Sequence, residues 1–164
     1  MLRSRQAGAS LLEVLVSVVL LSIGVLGATK MQLQALQSNR SSLARVEAVQ
    51  LANDLVSRIE ANSGVDYDPV ATGANPASAV DRDINACTPT QLALYDITRW
   101  QCSVNSLDTD GNSHTACATL GVTGALPEGR CSLARNADEY AIEVQWTDAD
   151  SGTAQRVSLW MRAP

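Results

Sequence analysis

The chain opens MLRSRQAG (residues 1–8) and continues ASLLEVLVSVVLLSIGVLGA (residues 9–28) before it reaches Thr29 and Lys30. The first eight residues carry Arg3 and Arg5 and no acid. The next twenty are almost wholly apolar, and at about 1.5 Å rise per residue they span roughly 30 Å, the thickness of a bilayer's hydrocarbon. Basic residues ahead of such a block specify insertion with the short N-terminal end in the cytoplasm. A removable secretory signal fits less well, because no small-x-small site ends the block and the helical pattern runs on without a break. One residue is out of place. A carboxylate such as Glu13 costs roughly 2.5–3.5 kcal/mol at the centre of a membrane helix and less near its edge, so it is kept for a partner.

Beyond this block the chain reads as a soluble, acidic domain. Its 164 residues suffice for one domain of ordinary size, or a small domain with an appendage. Twelve Lys and Arg against 17 Asp and Glu give a net charge of −5. That balance excludes a basic surface that would release counterions from a polyanion. Aromatic residues are 4% and Phe is absent, which predicts an aliphatic core with the three Trp as bulky anchors.

From Ala9 to about Ala61 there is no Pro, and Gly24 and Gly27 are the only Gly. These two either permit close helix approach or loosen the helix locally. After Lys30 the pattern turns amphipathic. Leu36, Leu43, Val46, Leu51, Leu55 and Ile59 recur at helical spacings, while Arg40, Arg45, Glu47, Asp54, Arg58 and Glu60 read as a solvated face. The helix is expected to end near Asn62-Ser63-Gly64, with Gly64 as a left-handed C-cap residue.

Residues 64–135 are rich in turns and hold four of the five Pro and all four Cys. Thr88 as N-cap and Pro89 at the first helical position open a short helix to about Arg99-Trp100, with Leu92, Tyr95 and Ile97 toward the core. Near the C-terminus, residues 140–146 and 156–161 alternate apolar and polar. They predict an antiparallel hairpin turning through Asp148–Gly152. Tyr140, Ile142, Val144, Trp146, Val157, Leu159 and Met161 would pack on the long helix. Trp160 points to the other side, either toward a partner subunit or as cover for the sheet.

Cys87, Cys102, Cys117 and Cys131 form no CxxC pair, and His114 is the only His, which argues against a zinc site. In an oxidising compartment the even count points to two disulfides, with three connectivities open. Asp108-Thr-Asp110-Gly111-Asn112 fails as a calcium loop. With Gly111 at the invariant glycine, Ser106 takes the first ligand position and Cys117 that of the bidentate Glu; the stretch reads as a turn. No nucleophile elbow or metal spacing surrounds His114, so no catalytic residue, cofactor or metal is expected.

The leader, Gly8, the run Ala9-Ser10-Leu11-Leu12-Glu13 and the apolar block together resemble the class III signal of type IV prepilins. Further stretches widen the likeness: Ser22–Gly27, Met31–Gln34, Ala52–Leu55 with Arg58-Ile59, Cys87 to Trp100, Leu126–Cys131 and Tyr140–Trp146. They resemble the PilV-like minor pilins of the type IV pilus, the pilus modification proteins, while Ser103–Thr123 reads as an insertion. The resemblance departs at the first mature position, usually Phe or Met and here Ala9.

The likeness implies an α+β, type IV pilin-like fold. Residues 1–8 form a leader peptide and 9–62 a long helix, with 9–29 in the membrane or filament core. Residues 63–164 form a periplasmic, disulfide-braced head with a small antiparallel sheet. Prepilin peptidase would cut between Gly8 and Ala9 and methylate Ala9. Glu13, fifth in the mature chain, would neutralise the N-terminal amine of an adjacent subunit. Removal of two Arg leaves 10 basic against 17 acidic residues, or −7.

The implied partners are other minor pilins, the major pilin, prepilin peptidase and the inner-membrane assembly machinery, with no direct nucleic acid contact. The implied role is priming of pilus assembly from the inner membrane, with incorporation into the pilus or its tip. That role would support twitching motility, adhesion or DNA uptake. Two other readings share features of the sequence: a minor pseudopilin of type II secretion, and a membrane-anchored periplasmic binding domain with an uncleaved anchor.

Overall fold

The absence of Pro and the unbroken helical spacing carry one helix, α1 (Leu11–Ala61), across the first third of the computed structural model, which describes residues 11–78 and 87–164. Two helices follow, α2 (Pro89–Val104) and α3 (Thr115–Leu120). Three strands complete the described residues: β1 (Arg130–Asn136), β2 (Glu139–Thr147) and β3 (Ala154–Arg162). The chain divides into two units, residues 1–39 and residues 40–164. In the first, every described residue is an exposed residue of α1.

The second unit contains the core. Ala48, Leu51, Ala52, Leu55 and Ile59 of α1 are buried at helical spacing. They join Trp100 and Val104 of α2, Leu133 of β1, and Tyr140, Ile142, Val144 and Trp146 of β2 in one apolar cluster. Val157, Leu159 and Met161 of β3 pack against its margin. Each large apolar side chain buried this way contributes about 1.5–3 kcal/mol. The Trp100 indole also donates from Nε1 to the Leu51 carbonyl (2.9 Å), which ties α2 to the α1 backbone. Leu43 and Val46 do not join this face. At 100° per residue Leu43 lies roughly 120° and Val46 roughly 180° around the helix from the middle of the Leu51, Leu55 and Ile59 stripe, and they remain 61% and 54% exposed.

α2 begins where Thr88 and Pro89 predict. The Thr88 side chain accepts from the Gln91 N–H, and the Gln91 side chain accepts from the Thr88 N–H at 2.9 Å, a reciprocal capping box. It runs on to Val104, beyond the expected end at Arg99-Trp100, because Thr98, Gln101, Cys102 and Val104 are themselves buried against the rest of the unit. Gly124 and Gly129 allow the following loop to lie against its end. A Cβ would meet Asn105 Cα at 2.6 Å in one case and the Val104 carbonyl oxygen at 2.7 Å in the other.

The sheet is antiparallel in the order β1-β2-β3. The β2–β3 hairpin follows from its alternation, and its turn is organised by Asp148. That carboxylate accepts from the N–H groups of Asp150 (3.1 Å) and Ser151 (2.9 Å) and from the Ser151 hydroxyl. Ser41 of α1 and Asp148 line the same groove between the helix and this turn. Strand β1 is an addition to the expected hairpin. It joins β2 through Ala137 and Asp138, with Ala137 at φ +50°, a conformation that asparagine or glycine signals and alanine does not.

Three further expectations are corrected. Gly64 is not left-handed; α1 ends as the Asn62 N–H donates to the Arg58 carbonyl (3.1 Å) and the chain turns away. One disulfide forms where two were expected, Cys102–Cys117, with Cα atoms 5.3 Å apart, joining α2 to α3. A closed loop of that length contributes roughly 3 kcal/mol in the chain-entropy model. Cys131 is instead a buried thiol of β1 inside the apolar cluster, and burial pushes its pKa up to about 12, which keeps it protonated and inert. Cys87, partly exposed ahead of α2, is not in that bridge.

The third correction concerns the charges of the helix. Arg58 is not on a solvated face: its side chain is 22% exposed and bridges Asp54 Oδ2 (2.8 Å) and Asp96 Oδ1 (2.9 Å). Burial alone would lower its pKa, but the two carboxylates outweigh burial and raise it. The Tyr67 hydroxyl lies 2.9 Å from Asp96 Oδ2 and 3.1 Å from the Arg58 carbonyl oxygen, and burial raises its pKa. The Tyr67 N–H in turn donates to Tyr140 Oη (3.0 Å). These bonds join α1, α2, the segment after α1 and β2.

Two predictions follow from these contacts. Asp96→Asn strands part of the Arg58 charge in the interior. Breaking a buried pair costs 3–5 kcal/mol, and because Arg58 keeps Asp54 and some water, a loss of about 2 kcal/mol is expected. Asp54, 43% exposed, should cost under about 1 kcal/mol when changed to Asn. Urea unfolding of the detergent-solubilised chain measures both, and equal losses would contradict the arrangement.

The Ser41 and Ser151 hydroxyls and the turn N–H groups hold the Asp148 carboxyl down at about 2. Its stabilisation is therefore fully present above the ordinary carboxyl value of about 4 and is lost as pH falls toward 2. Asp148→Asn should flatten the stability profile between pH 4 and 2. An unchanged slope would show that the carboxylate does not hold the turn.

Candidate functional site

The structure places Glu13 in the first turn of α1, and it is the only ionisable side chain between Leu11 and Thr29. Three other polar side chains lie in that span, and each satisfies itself. Ser17 Oγ donates to the Glu13 carbonyl (2.7 Å), Ser22 Oγ to the Val18 carbonyl (2.7 Å) and Thr29 Oγ1 to the Val25 carbonyl (2.8 Å). A hydroxyl returned to the carbonyl four residues back presents little unmet polarity to an apolar surrounding. Among the described residues the Glu13 carboxylate has no such partner. Gly8 and Ala9, the expected cleavage and methylation positions, lie outside the described residues.

Around Glu13 the helix offers apolar side chains on every side. Leu11, Leu12, Leu15, Val18, Leu21, Ile23 and Leu26 are all exposed, and the segment is long and apolar enough to cross a membrane. At Gly24 and Gly27 nothing of this chain lies within 4 Å of where a Cβ would be, so both present bare backbone to a neighbouring helix.

In the second unit the exposed apolar character persists at Leu43 and Val46. With Arg40, Ser41, Pro127 and Thr147 they line a groove of about 700 Å³ between α1 and the β2–β3 turn. Hydrophobicity at mixed spacings of 3, 4 and 7 puts Leu43 and Val46 in one series with Leu51, Leu55 and Ile59, but they are exposed. The helical angle between the two sets was the signal that separates them.

The remaining sequence candidates are structural. The Asp108 carboxylate accepts from the N–H groups of Asp110 (2.9 Å) and Asn112 (2.8 Å) and closes its own turn, with Gly111 at φ +81°. His114 occupies the N-cap position of α3 and makes no side-chain capping bond there. Among the described residues, no three His, Cys, Asp or Glu side chains are placed to hold a metal ion.

Residues 3–29 match the prokaryotic N-terminal methylation motif, and residues 30–98 match the family described as Type IV pilin Tt1218. No curated protein and no solved structure matches the chain. The two matched segments adjoin, running from residue 3 to residue 98, and the long apolar helix on a small antiparallel sheet completes the picture. The chain has a type IV pilin-like fold, and its residues 30–98 are similar to that family.

Proposed function

We propose that this chain is a minor pilin, similar to the PilV-like pilus modification proteins, acting as a structural subunit rather than an enzyme. Prepilin peptidase cleaves between Gly8 and Ala9 and methylates Ala9. The helix then holds the subunit in the inner membrane with its head in the periplasm. There it joins other minor pilins to prime pilus assembly and passes into the fibre or its tip.

The observation that carries this reading is the fully exposed apolar helix from Leu11 onward with one unsatisfied acid, Glu13, inside a matched methylation motif. Cleavage removes Arg3 and Arg5, whose charges would obstruct packing of apolar helices, and frees an amine. An amine and a carboxylate are each costly in hydrocarbon, and pairing them between subunits offsets much of that cost. Pairing also sets the axial position of one subunit against the next. The apolar side chains Leu43 and Val46 extend the contact surface of α1 into the head.

Glu13→Ala tests this reading, because it removes the acid and leaves the cleavage site intact. Processing after Gly8 should proceed as in the parent chain, while incorporation into sheared pili, read by immunoblot, should fall several-fold. Unchanged incorporation and piliation would count against the role of Glu13.

A further inference from the structure

Strand β3 ends the sheet, and one of its two edges has no neighbour among the described residues. The other end of the sheet is closed, because Val70 and Leu133 exchange two backbone hydrogen bonds, at 2.8 and 3.0 Å, along the outer edge of β1. β3 has nine residues, no Pro and an unbroken register with β2. An edge this long and regular templates the addition of another strand unless charge, Pro or a bulge guards it.

The register fixes which groups are open. The Asp148 N–H donates to the Thr153 carbonyl (2.9 Å) and the Ala163 N–H to the Asp138 carbonyl (2.7 Å), one at each end of the β2–β3 ladder. Bonded and non-bonded pairs alternate along such a ladder, so Gln155, Val157, Leu159 and Met161 bond to β2. Ala154, Arg156, Ser158, Trp160 and Arg162 turn their N–H and C=O groups to the open edge.

The side chains divide in the same way. Val157, Leu159 and Met161 lie half-buried at the margin of the core and offer apolar surface beside the edge. Arg156, Ser158, Trp160 and Arg162 lie on the outer face, where Trp160 is 71% exposed. Its cross-strand neighbours, Ala141 and then Ala134, are too small to cover the indole. Neither Arg156 nor Arg162 has an ion pair among the described residues. The nearby Glu143 carboxylate already accepts from Ser158 Oγ (3.2 Å) and from Gln145 Nε2. An edge defended only by charge would not carry an exposed indole between its two cations.

We propose that the open edge of β3 takes up an extended, acidic segment of another polypeptide as a further, antiparallel strand. Acidic side chains of the segment stand opposite Arg156 and Arg162, and an apolar one lies beside Trp160. Apolar side chains on its alternate face meet Val157, Leu159 and Met161. The segment is not β3 of a second copy. Antiparallel pairing of two β3 strands reverses one head against the other, and with it the stretch of α1 packed on the sheet, so the two apolar helices could not share one membrane. An extended segment is free of that constraint. The site lies within residues 130–162 and does not involve Glu13.

Fluorescence anisotropy with labelled peptides and the detergent-solubilised full-length chain tests the strand and its chemistry separately. The probe, N-acetylated Glu-Val-Val-Ile-Thr-Val-Glu-Thr-Thr, sets its two Glu opposite Arg162 and Arg156 in the antiparallel register. It should bind saturably. N-methylation of its third, fifth and seventh residues, whose N–H groups face β3, should weaken binding roughly tenfold or more, because backbone bonds are lost while every side chain stays. N-methylation of the fourth and sixth, which face away, should have a much smaller effect. Replacing both Glu by Lys should weaken binding several-fold, and the double variant Arg156→Glu, Arg162→Glu should reverse that preference. The proposal is overturned if the probe shows no saturable binding, if the two methylation patterns cost the same, or if the Glu and Lys peptides bind equally. Glu13→Ala should leave binding unchanged, so failure here is distinct from failure of the assembly role.

Discussion

Every residue from Leu11 to Arg40 is exposed, and most of those before Lys30 are Leu, Val or Ile. Each such side chain forgoes about 1.5–3 kcal/mol of stabilisation while it faces water, and a contiguous surface of this size marks a membrane or protein contact. Among the described residues the chain supplies no cover for it. Lipid, or the helices of other subunits, must do so. Either surrounding requires that backbone polarity be met within the helix, which explains the freedom from Pro and the hydroxyls of Ser17, Ser22 and Thr29 folded back on carbonyls. Glu13 is the exception in this arrangement, and an exception of that kind is retained for a function.

The head meets a different requirement. Its core is small, and Trp100, Tyr67, Tyr140 and Trp146 stand buried among its aliphatic side chains, with Trp100 bonded to α1. Directional contacts supplement apolar burial: the Trp100 bond to the Leu51 carbonyl, the bridge from Arg58 to Asp96 and Tyr67, and the Cys102–Cys117 bond. The first two fasten something to the α1 backbone or side chains. A subunit whose head must follow its helix into an assembly is served by that pattern, because the head's orientation is then tied to the helix within residues 40–164.

Much of this was legible in the sequence where one local rule dominates. The apolar block, the Thr88-Pro89 helix start and the alternation of β2 and β3 each rest on such a rule. Strand β1 was hidden because its turn, Ala137-Asp138, lacks the Gly or Asn that marks a left-handed turn position; tertiary pairing holds Ala137 there. Arg58 read as a surface charge because its second partner, Asp96, lies 38 residues away. Cys131 read as a disulfide half because an even cysteine count carries no information on which thiol becomes core. Leu43 and Val46 were legible in principle, since their helical angle already separates them from Leu51, Leu55 and Ile59.

The central claim is that the chain functions with a trimmed N-terminus whose amine meets Glu13 of a neighbour. Mass spectrometry of the N-terminal peptide, taken from chain recovered in membranes and sheared fibres, tests it most directly. The account predicts a mature terminus at N-methylated Ala9. A terminus still bearing Met1 to Gly8 in both fractions would contradict it.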